Sequence, residues 1–355
     1  MAGWDDALRA PTIRDVAARA GVSKSLVSLV LQGDARVSDA RRNAVQQAMA
    51  ELGYRPNLRA RALSRNRTDT VGVLLNDLRN PWFIDLLAGL ATTLRSSGLS
   101  PILADSHTDR RIGIGSVETL LGQEVDGLVV VGTTEEAEAI ATAATQLPVV
   151  LAGTREPALP NVDIVVNDDL AGARSAARHL IGLGHQRIAH LRGPGEVGSL
   201  RLEGFQQCLR EAGLDAETYI ETGGMSEESG YAAARRLLSR PDRPTAILAF
   251  NDVAAIGALS AADDLGLSVP KDLSLIGYDN THLARIRHIS LTSVDNGNFP
   301  VGAQAGRYLI ERLANPGLES RLHLVPTMLE VRSSTAAPPL GAAGRPYRIS
   351  RRSSR

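Results

Sequence analysis

The sequence predicts a small all-α head followed by a two-lobed α/β body. Three observations carry this. Residues 12–52 hold three short stretches of helical periodicity separated by turn residues, with no strand pattern between them. From residue 70 onward, short apolar runs alternate with helical stretches, as βαβ units and doubly wound sheets require. Charge is also segregated: between Pro11 and Thr68, eleven Arg and Lys stand against four Asp and Glu, leaving +7 there and −7 elsewhere in a chain of zero formal net charge.

The head begins with Thr12, a candidate N-cap, before Ile13, Val16, Ala17 and Ala20 at the i, i+3, i+4, i+7 spacing of one helical face. Gly21 supplies the left-handed backbone of a tight helix–helix turn. Ser23 then caps a second helix with Val27, Val30 and Leu31 on its apolar face, which leaves Lys24, Ser25, Ser28 and Leu29 pointing outward. A short polar, basic helix braced by another is the helix-turn-helix that lays its second helix in the DNA major groove; an ordinary helical hairpin is the plainer reading. Ser38 caps a third helix over 39–52 with Val45, Ala48, Met49 and Leu52 inward, and Gly53 stops it. The surrounding +7 charge is the electrostatic footprint of a nucleic-acid partner. Domain boundaries follow: a helix-turn-helix domain over 11–56, a hinge helix and linker over 57–69, the two-lobed body over 70–333 and a disordered basic tail over 334–355.

In the body, strands are expected at 71–75, 101–104, 127–131, 149–152, 188–191, 246–249 and 273–277. Helices are expected at 81–97, 135–146, 169–183, 200–212, 226–239 and 252–265. In such sheets ligands sit beyond the carboxyl ends of the strands. The residues there form a set: Asn80, Trp82 and Phe83 after the first strand, Arg201 after the fifth, Asn251 and Asp279 after the sixth and seventh, and Asn296 after an apolar run at 291–294. With aromatics at only 3% of the chain, Trp82 and Phe83 side by side are informative. A flat aromatic, a bidentate arginine, a carboxylate and amides suit a polyhydroxylated ring. Taken singly, Asn251 or Asp279 reads equally well as a cap or turn residue.

Other chemistries find less support. The single cysteine, Cys208, rules out a disulfide framework and a cysteine-cluster metal site, and it reads as a buried structural thiol. The seven histidines show no paired-ligand spacing, so no metal is expected, and no GxSxG nucleophile elbow is present. Gly193-Pro194-Gly195-Glu196-Val197-Gly198 matches GxGxxG literally, with Glu221 at the distance of a ribose-binding acid. A nicotinamide-dependent enzyme is therefore one alternative, set aside because the match lies mid-chain and leaves the basic head without purpose. A free solute-binding protein is the other. The opening MAGWDDALRA lacks the apolar core of a secretory signal and no run approaches a membrane span, so a cytoplasmic, membrane-free protein is expected.

The segments DVAARAGVSKSLVSLVLQG, AMAELGYRPN and ARALSR resemble the lactose-repressor (LacI/GalR) family of bacterial transcription regulators, and the similarity extends to about Ser333. The resemblance implies a homodimeric, non-enzymatic regulator, in most members a repressor. Its body is periplasmic-binding-protein-like and closes on a small-molecule effector, a sugar or related compound, with no cofactor. It implies DNA contacts from Thr12, Ser23, Lys24, Ser25, Ser28 and Leu29 of the head and from Asn57, Ala60 and Leu63 of the hinge. Leu63 holds the place of the leucine that wedges a central base step open in the minor groove. Two departures stand out. Leu29 replaces an arginine common among relatives and cannot make its bidentate guanine contact. Gly153-Thr154 follows the fourth strand where sugar-binding relatives often carry an aspartate. The tail lacks leucine heptads, so no coiled coil joining dimers into tetramers is expected.

Overall fold

The computed structural model describes residues 11–31, 33–54 and 67–339. These fall into two compact units, a head ending at Thr68 and a body beginning at Asp69.

The head has three helices, α1 (Ile13–Ala20), α2 (Lys24–Leu31) and α3 (Asp39–Leu52). Gly21 takes the left-handed conformation at φ 65° and turns the chain from α1 toward α2. Thr12 is the N-cap of α1 and forms a capping box with Asp15, its own backbone N–H and hydroxyl both lying 2.7 Å from the Asp15 carboxylate. Ser23 does cap α2, its Oγ accepting the Leu26 N–H at 3.1 Å. Ser38 occupies the N-cap position of α3 without a side-chain bond. Val16, Val27 and Val45 are fully buried, and Val30, Val37 and Ala48 complete a core that Leu26, Leu29 and Tyr54 cover in part. Burying each such valine contributes about 1.5–3 kcal/mol, so this small unit depends on few side chains.

The body contains two six-stranded sheets. The first is built from β1 (Thr70–Leu75), β2 (Ser100–Asp105), β3 (Gly127–Val131), β4 (Val149–Ala152), β5 (Asp163–Asn167) and β11 (Leu322–Val325) in the order β11-β5-β4-β3-β1-β2, all parallel. The second is built from β6 (Ile188–Arg192), β7 (Ile220–Thr222), β8 (Ala246–Leu248), β9 (Ser274–Tyr278), β10 (Thr292–Asp295) and β12 (Met328–Glu330) in the order β12-β10-β9-β8-β6-β7. Only β12 runs antiparallel to its neighbour there. The helices are α4 (Trp82–Ser96), α5 (Ser106–Arg111), α6 (Ser116–Gly122), α7 (Ala137–Ala144), α8 (Asp169–Gly182), α9 (Gly195–Glu211), α10 (Glu227–Leu238), α11 (Asp252–Asp264) and α12 (Asn298–Ala314). Central strands such as β3 and β9 are buried along their whole length, which is why they read as unbroken apolar runs.

The chain passes between the lobes three times: after β5, after β10 and after β11. The passages are tied together, the Asp168 N–H donating to the Val325 carbonyl at 3.0 Å and the Asn167 amide to the Asn296 carbonyl. At the other, amino-terminal end of β5, Asp163 lies fully buried and accepts from Arg312 at 2.9 Å and from Arg321 at 3.0 Å. Between α4 and α12 the backbones nearly touch: a Cβ on Gly302 would sit 1.9 Å from the Leu86 carbonyl oxygen. That approach admits only glycine.

Three expectations need correction. α12 was not expected, because Pro300, Gly302 and Gly306 interrupt its pattern; Pro300 sits in the first turn, where no N–H is needed, and the glycines face α4. α9 starts at Gly195 rather than residue 200, so part of the GxGxxG stretch is helix. The stretch expected to be disordered from 334 begins instead with an ordered clasp. The Ser334 hydroxyl donates to the Leu275 carbonyl at 2.6 Å, and buried His185 binds Ala336 O at 2.9 Å, Ser274 Oγ at 3.0 Å and Thr245 Oγ1 at 2.8 Å. Burial lowers the His185 pKa, so the ring is neutral: Nε2 donates to the Ala336 carbonyl and Nδ1 accepts from Thr245. Composition missed the clasp because its bonds are made with distant residues of the second sheet. Residues 340–355 lie outside the described residues. Cys208 is buried in α9, and burial raises its thiol pKa. Among the described residues, no helix is long and apolar enough to cross a membrane.

Candidate functional site

The carboxyl ends of both sheets face a cleft between the lobes. It encloses about 500 Å³ of space open to solvent and is lined by Asn76, Asn80, Trp82, Phe83, Gly132, Thr133 and Gly153 from the first lobe. Pro194, Val197, Arg201, Met225, Phe250, Asn251 and Asp279 line it from the second. Six of the seven residues expected at an effector site are therefore brought together. The seventh, Asn296, does not reach the cleft; its Nδ2 donates to Asp279 Oδ1 at 3.0 Å and orients that carboxyl.

On the first lobe, the Asn80 side-chain oxygen accepts the Trp82 N–H at 3.0 Å and so starts α4 with the indole at the cleft. The indole lies against Gly153, where a Cβ would come within 2.4 Å of Trp82 Cη2. Glycine there also holds φ 68°, so the position suits this wall and would not take a carboxylate without displacing the ring. Phe83 touches the cleft but is only 2% exposed and packs in the first-lobe core, edge-to-face on Trp82. Of the two adjacent aromatics, Trp82 is the wall and Phe83 its support. The second aromatic of the cleft is Phe250, across from it on the second lobe.

Arg201 reaches back from α9 and is 5% exposed. Its Nε donates to Asp169 Oδ1 at 2.8 Å, Nη1 to the Phe250 carbonyl at 2.6 Å, and Nη2 lies 3.6 Å from Asp279 Oδ1. Tyr278 and Phe250 stack on its guanidinium at 3.6 and 4.7 Å. The bidentate grip expected of Arg201 is therefore corrected: Nε and Nη1 are committed to protein groups, which leaves only Nη2, 3.6 Å from Asp279 Oδ1, without a close bond. Asp279 sits at φ 96°, an unusual conformation for a residue with a side chain and one that concentrates at functional sites. Burial pushes its carboxyl up to about 7; Arg201 opposes this, while Asp252 and Asp169 reinforce it. Asp252, raised to about 6 mainly by burial, stands behind it, held by Ser293 Oγ at 2.6 Å and by the Thr281 N–H and hydroxyl. Asn251 both lines the cleft and caps α11, accepting the Ala254 N–H at 2.8 Å.

In the head, Lys24, Ser25 and Ser23 are exposed, whereas Thr12, Ser28 and Leu29 are half-buried. Leu29 was expected to face outward; it packs partly on the head core, because α2 buries a wider stripe than Val27, Val30 and Leu31 alone. Asn57, Ala60 and Leu63 lie outside the described residues.

Comparison with known proteins adds to this geometry. Residues 12–57 match the model of bacterial regulatory proteins of the lacI family, and residues 177–335 match a periplasmic binding protein-like domain. The HTH-type transcriptional repressor PurR of Klebsiella pneumoniae (strain 342) is 34% identical over 334 residues, 92% of this chain and 98% of that protein. The chain belongs to the lacI family. Two solved structures extend the similarity of this LacI-family chain. The lac repressor dimer bound to operator and the anti-inducer ONPF superposes with a TM-score of 0.80 at 29% identity, over 93% of this chain and 100% of that one. The complex of the transcriptional regulator CelR with cellobiose gives 0.68 at 32% identity, over 91% and 99%. The LacI-family chain is a ligand-responsive DNA-binding transcriptional regulator, with a helix-turn-helix head and a two-sheet effector domain.

Sequence reasoning missed Asn76 and Thr133, although each stands within two residues of a first-lobe strand end and the post-strand rule could have found them; Gly153 it noted only as a departure from relatives. Met225 and Val197 carried no such signal.

Proposed function

We propose that this LacI-family regulator is a homodimeric repressor whose operator affinity is set by a sugar or closely related polyhydroxylated effector bound between the lobes. The observation that carries the reading is the convergence of Trp82, Phe250, Arg201, Asn251 and Asp279 on one cleft. The aromatic faces stack on C–H surfaces, while the amides and the carboxyl exchange hydrogen bonds with hydroxyls. The cellobiose complex of a similar regulator supports a carbohydrate effector. Lys24, Ser25 and the half-buried Ser28 and Leu29 of α2 are the proposed base-facing residues, with Thr12 and Ser23 at the phosphates. Asn57, Ala60 and Leu63 complete the set from the hinge. Ile84, Leu103, Ile112 and Ile114 of the first lobe are exposed apolar side chains that a second copy could cover. The protein acts without catalysis, in the cytoplasm, and needs no cofactor.

Effector binding shifts operator affinity only by its differential affinity for the two lobe arrangements. Titrating a promoter duplex from the regulator's own locus against salt tests the DNA reading: log affinity should fall steeply and linearly with log salt. Salt-insensitive binding, or none, overturns it. Repeating the titration with effector, in wild type and Arg201→Ala, tests the control: the variant should keep operator binding and lose the response.

A further inference from the structure

The cleft does not end at the inner chamber. A larger outer chamber, about 1040 Å³ of space open to solvent, adjoins it and shares Asn76, Asn80 and Met225. Asp77 and Arg79 border it on the first lobe; Ser226, Glu227, Glu228 and Val253 border it on the second. Met225 is 40% exposed, so an apolar surface runs from one chamber into the other.

The charges along this path are unequal. In the inner chamber the first-lobe wall has no ionisable side chain, and Gly153 keeps it so. Arg201, the one cation lining that chamber, is neutralised by Asp169 at 2.8 Å and Asp279 at 3.6 Å. In the outer chamber Arg79 is held by Asp77 through Nη2 at 2.6 Å and Nε at 2.9 Å. Glu227 and Glu228 have no bonded cation among the ion pairs of the described residues. Glu228 is kept ionised by its own backbone N–H, by Ser226 and, more weakly, by the charge of Arg79, which is itself bonded to Asp77. Two buried atoms of inner-chamber lining residues meanwhile have no hydrogen-bond partner among the described residues: the Trp82 Nε1 donor, on a residue 8% exposed, and the Asn76 Oδ1 acceptor. A buried donor and acceptor left without a partner cost stability, and a hydroxyl satisfies either without bringing charge.

Resting on the effector reading above, we propose that the cleft takes an uncharged, hydroxyl-rich ligand of two-ring length, one ring in each chamber, and rejects phosphorylated or carboxylated forms. A single ring fits against Trp82 and leaves the outer chamber untouched. An anionic group placed outward meets three carboxylates, Asp77, Glu227 and Glu228, against the single guanidinium of Arg79, and one placed inward finds an arginine already neutralised. Each arrangement discriminates by repulsion or by unpaired charge.

Calorimetry on the full-length protein tests this with glucose, cellobiose, maltose and adenosine beside glucose 6-phosphate, glucuronate, lactobionate and AMP. A neutral two-ring compound should bind, about 100-fold tighter than its anionic counterpart and tighter than glucose. Whether the disaccharides or adenosine respond separates the two sources of that chemistry. The gap to the anion should narrow about tenfold in Glu227→Gln/Glu228→Gln, and it should narrow in wild type at high salt, which screens repulsion without altering the fold. An anionic member binding better than its neutral parent overturns the charge selection. Glucose binding as tightly as every two-ring compound overturns the length, while either result leaves a sugar-type effector standing. No binding by any member removes the effector reading itself, and this inference with it.

Discussion

With the effector bonded to Asp279 as proposed, binding should be linked to protonation of that carboxyl, with a sign set by which group donates. The carboxyl pKa is raised to about 7 by burial, against the pull of Arg201 on α9 and with the push of Asp252 on α11 and Asp169 on α8. A ligand hydroxyl that donates to Asp279 favours the ionised form, so binding lowers that pKa. Affinity is then fully present above pH 7 and is lost as pH falls through it. At pH 5.5 roughly 3% of the ligand-free protein carries Asp279 ionised, so affinity should drop about 30-fold from its value at pH 8. The assay is calorimetry with a neutral effector between pH 5.5 and 8. Asp279→Asn should bind weakly with a nearly flat profile, any remaining slope being that of Asp252, whose carboxyl is raised to about 6. Affinity that rises toward acid would mean that a protonated Asp279 donates to a ligand acceptor, and it would refute the hydroxyl-to-carboxylate contact.

Gly153→Ala should weaken effector binding at least tenfold, since its Cβ would fall 2.4 Å from Trp82 and the left-handed backbone adds about 1–2 kcal/mol of strain; Trp82 emission in a Trp4→Phe background should shift, and operator binding should persist. Asp163→Ala should destabilise the body by about 3–5 kcal/mol in urea unfolding, because it leaves Arg312, 4% exposed, without its partner. Burial alone would raise the Asp163 pKa, but bonds from Arg312 and Arg321 more than reverse this and lower it, so its contribution is present above about pH 4 and fades as pH drops through the lowered value. Leu29→Arg should add a preference for guanine at one position of each half-site, worth about 1–3 kcal/mol, as read by selection from a random operator pool; an unchanged preference would remove Leu29 from the base-reading set.

How far the sequence could be read depends on how local each cause is. The central strands announced themselves because burial on both faces leaves no polar residue in them, as in β3 and β9. β7, with three residues, and the edge strand β11, with exposed Leu322 and Leu324, carried no such signature. α12 was hidden by glycines whose reason lies on another helix, Gly302 against the Leu86 carbonyl. At the cleft, position after a strand found Arg201, Asn251 and Asp279. It could not tell which of two adjacent aromatics faces the core, because neighbours on a helix differ by about 100°. Nor could it show that Asp169 engages Arg201, since that contact joins two separate helices and depends on how they pack.

The three passages between the lobes also set the order in which the chain can be finished on the ribosome. The first-lobe core needs Val301, Ala305 and Leu309 from α12 and Val325 from β11, so it stays open until almost the last strand has emerged. The second lobe draws the buried part of its core from residues 173–294, so it can close earlier. Synthesis therefore completes the apolar core of the second lobe first, with β12 and the clasp at 334–336 joining at the end, while residues 70–167 wait for their final helix. During that interval the apolar β1, β3 and β4 depend on the nascent chain's surroundings, such as a chaperone, to stay unaggregated. A truncation before residue 298 would leave them in that condition permanently.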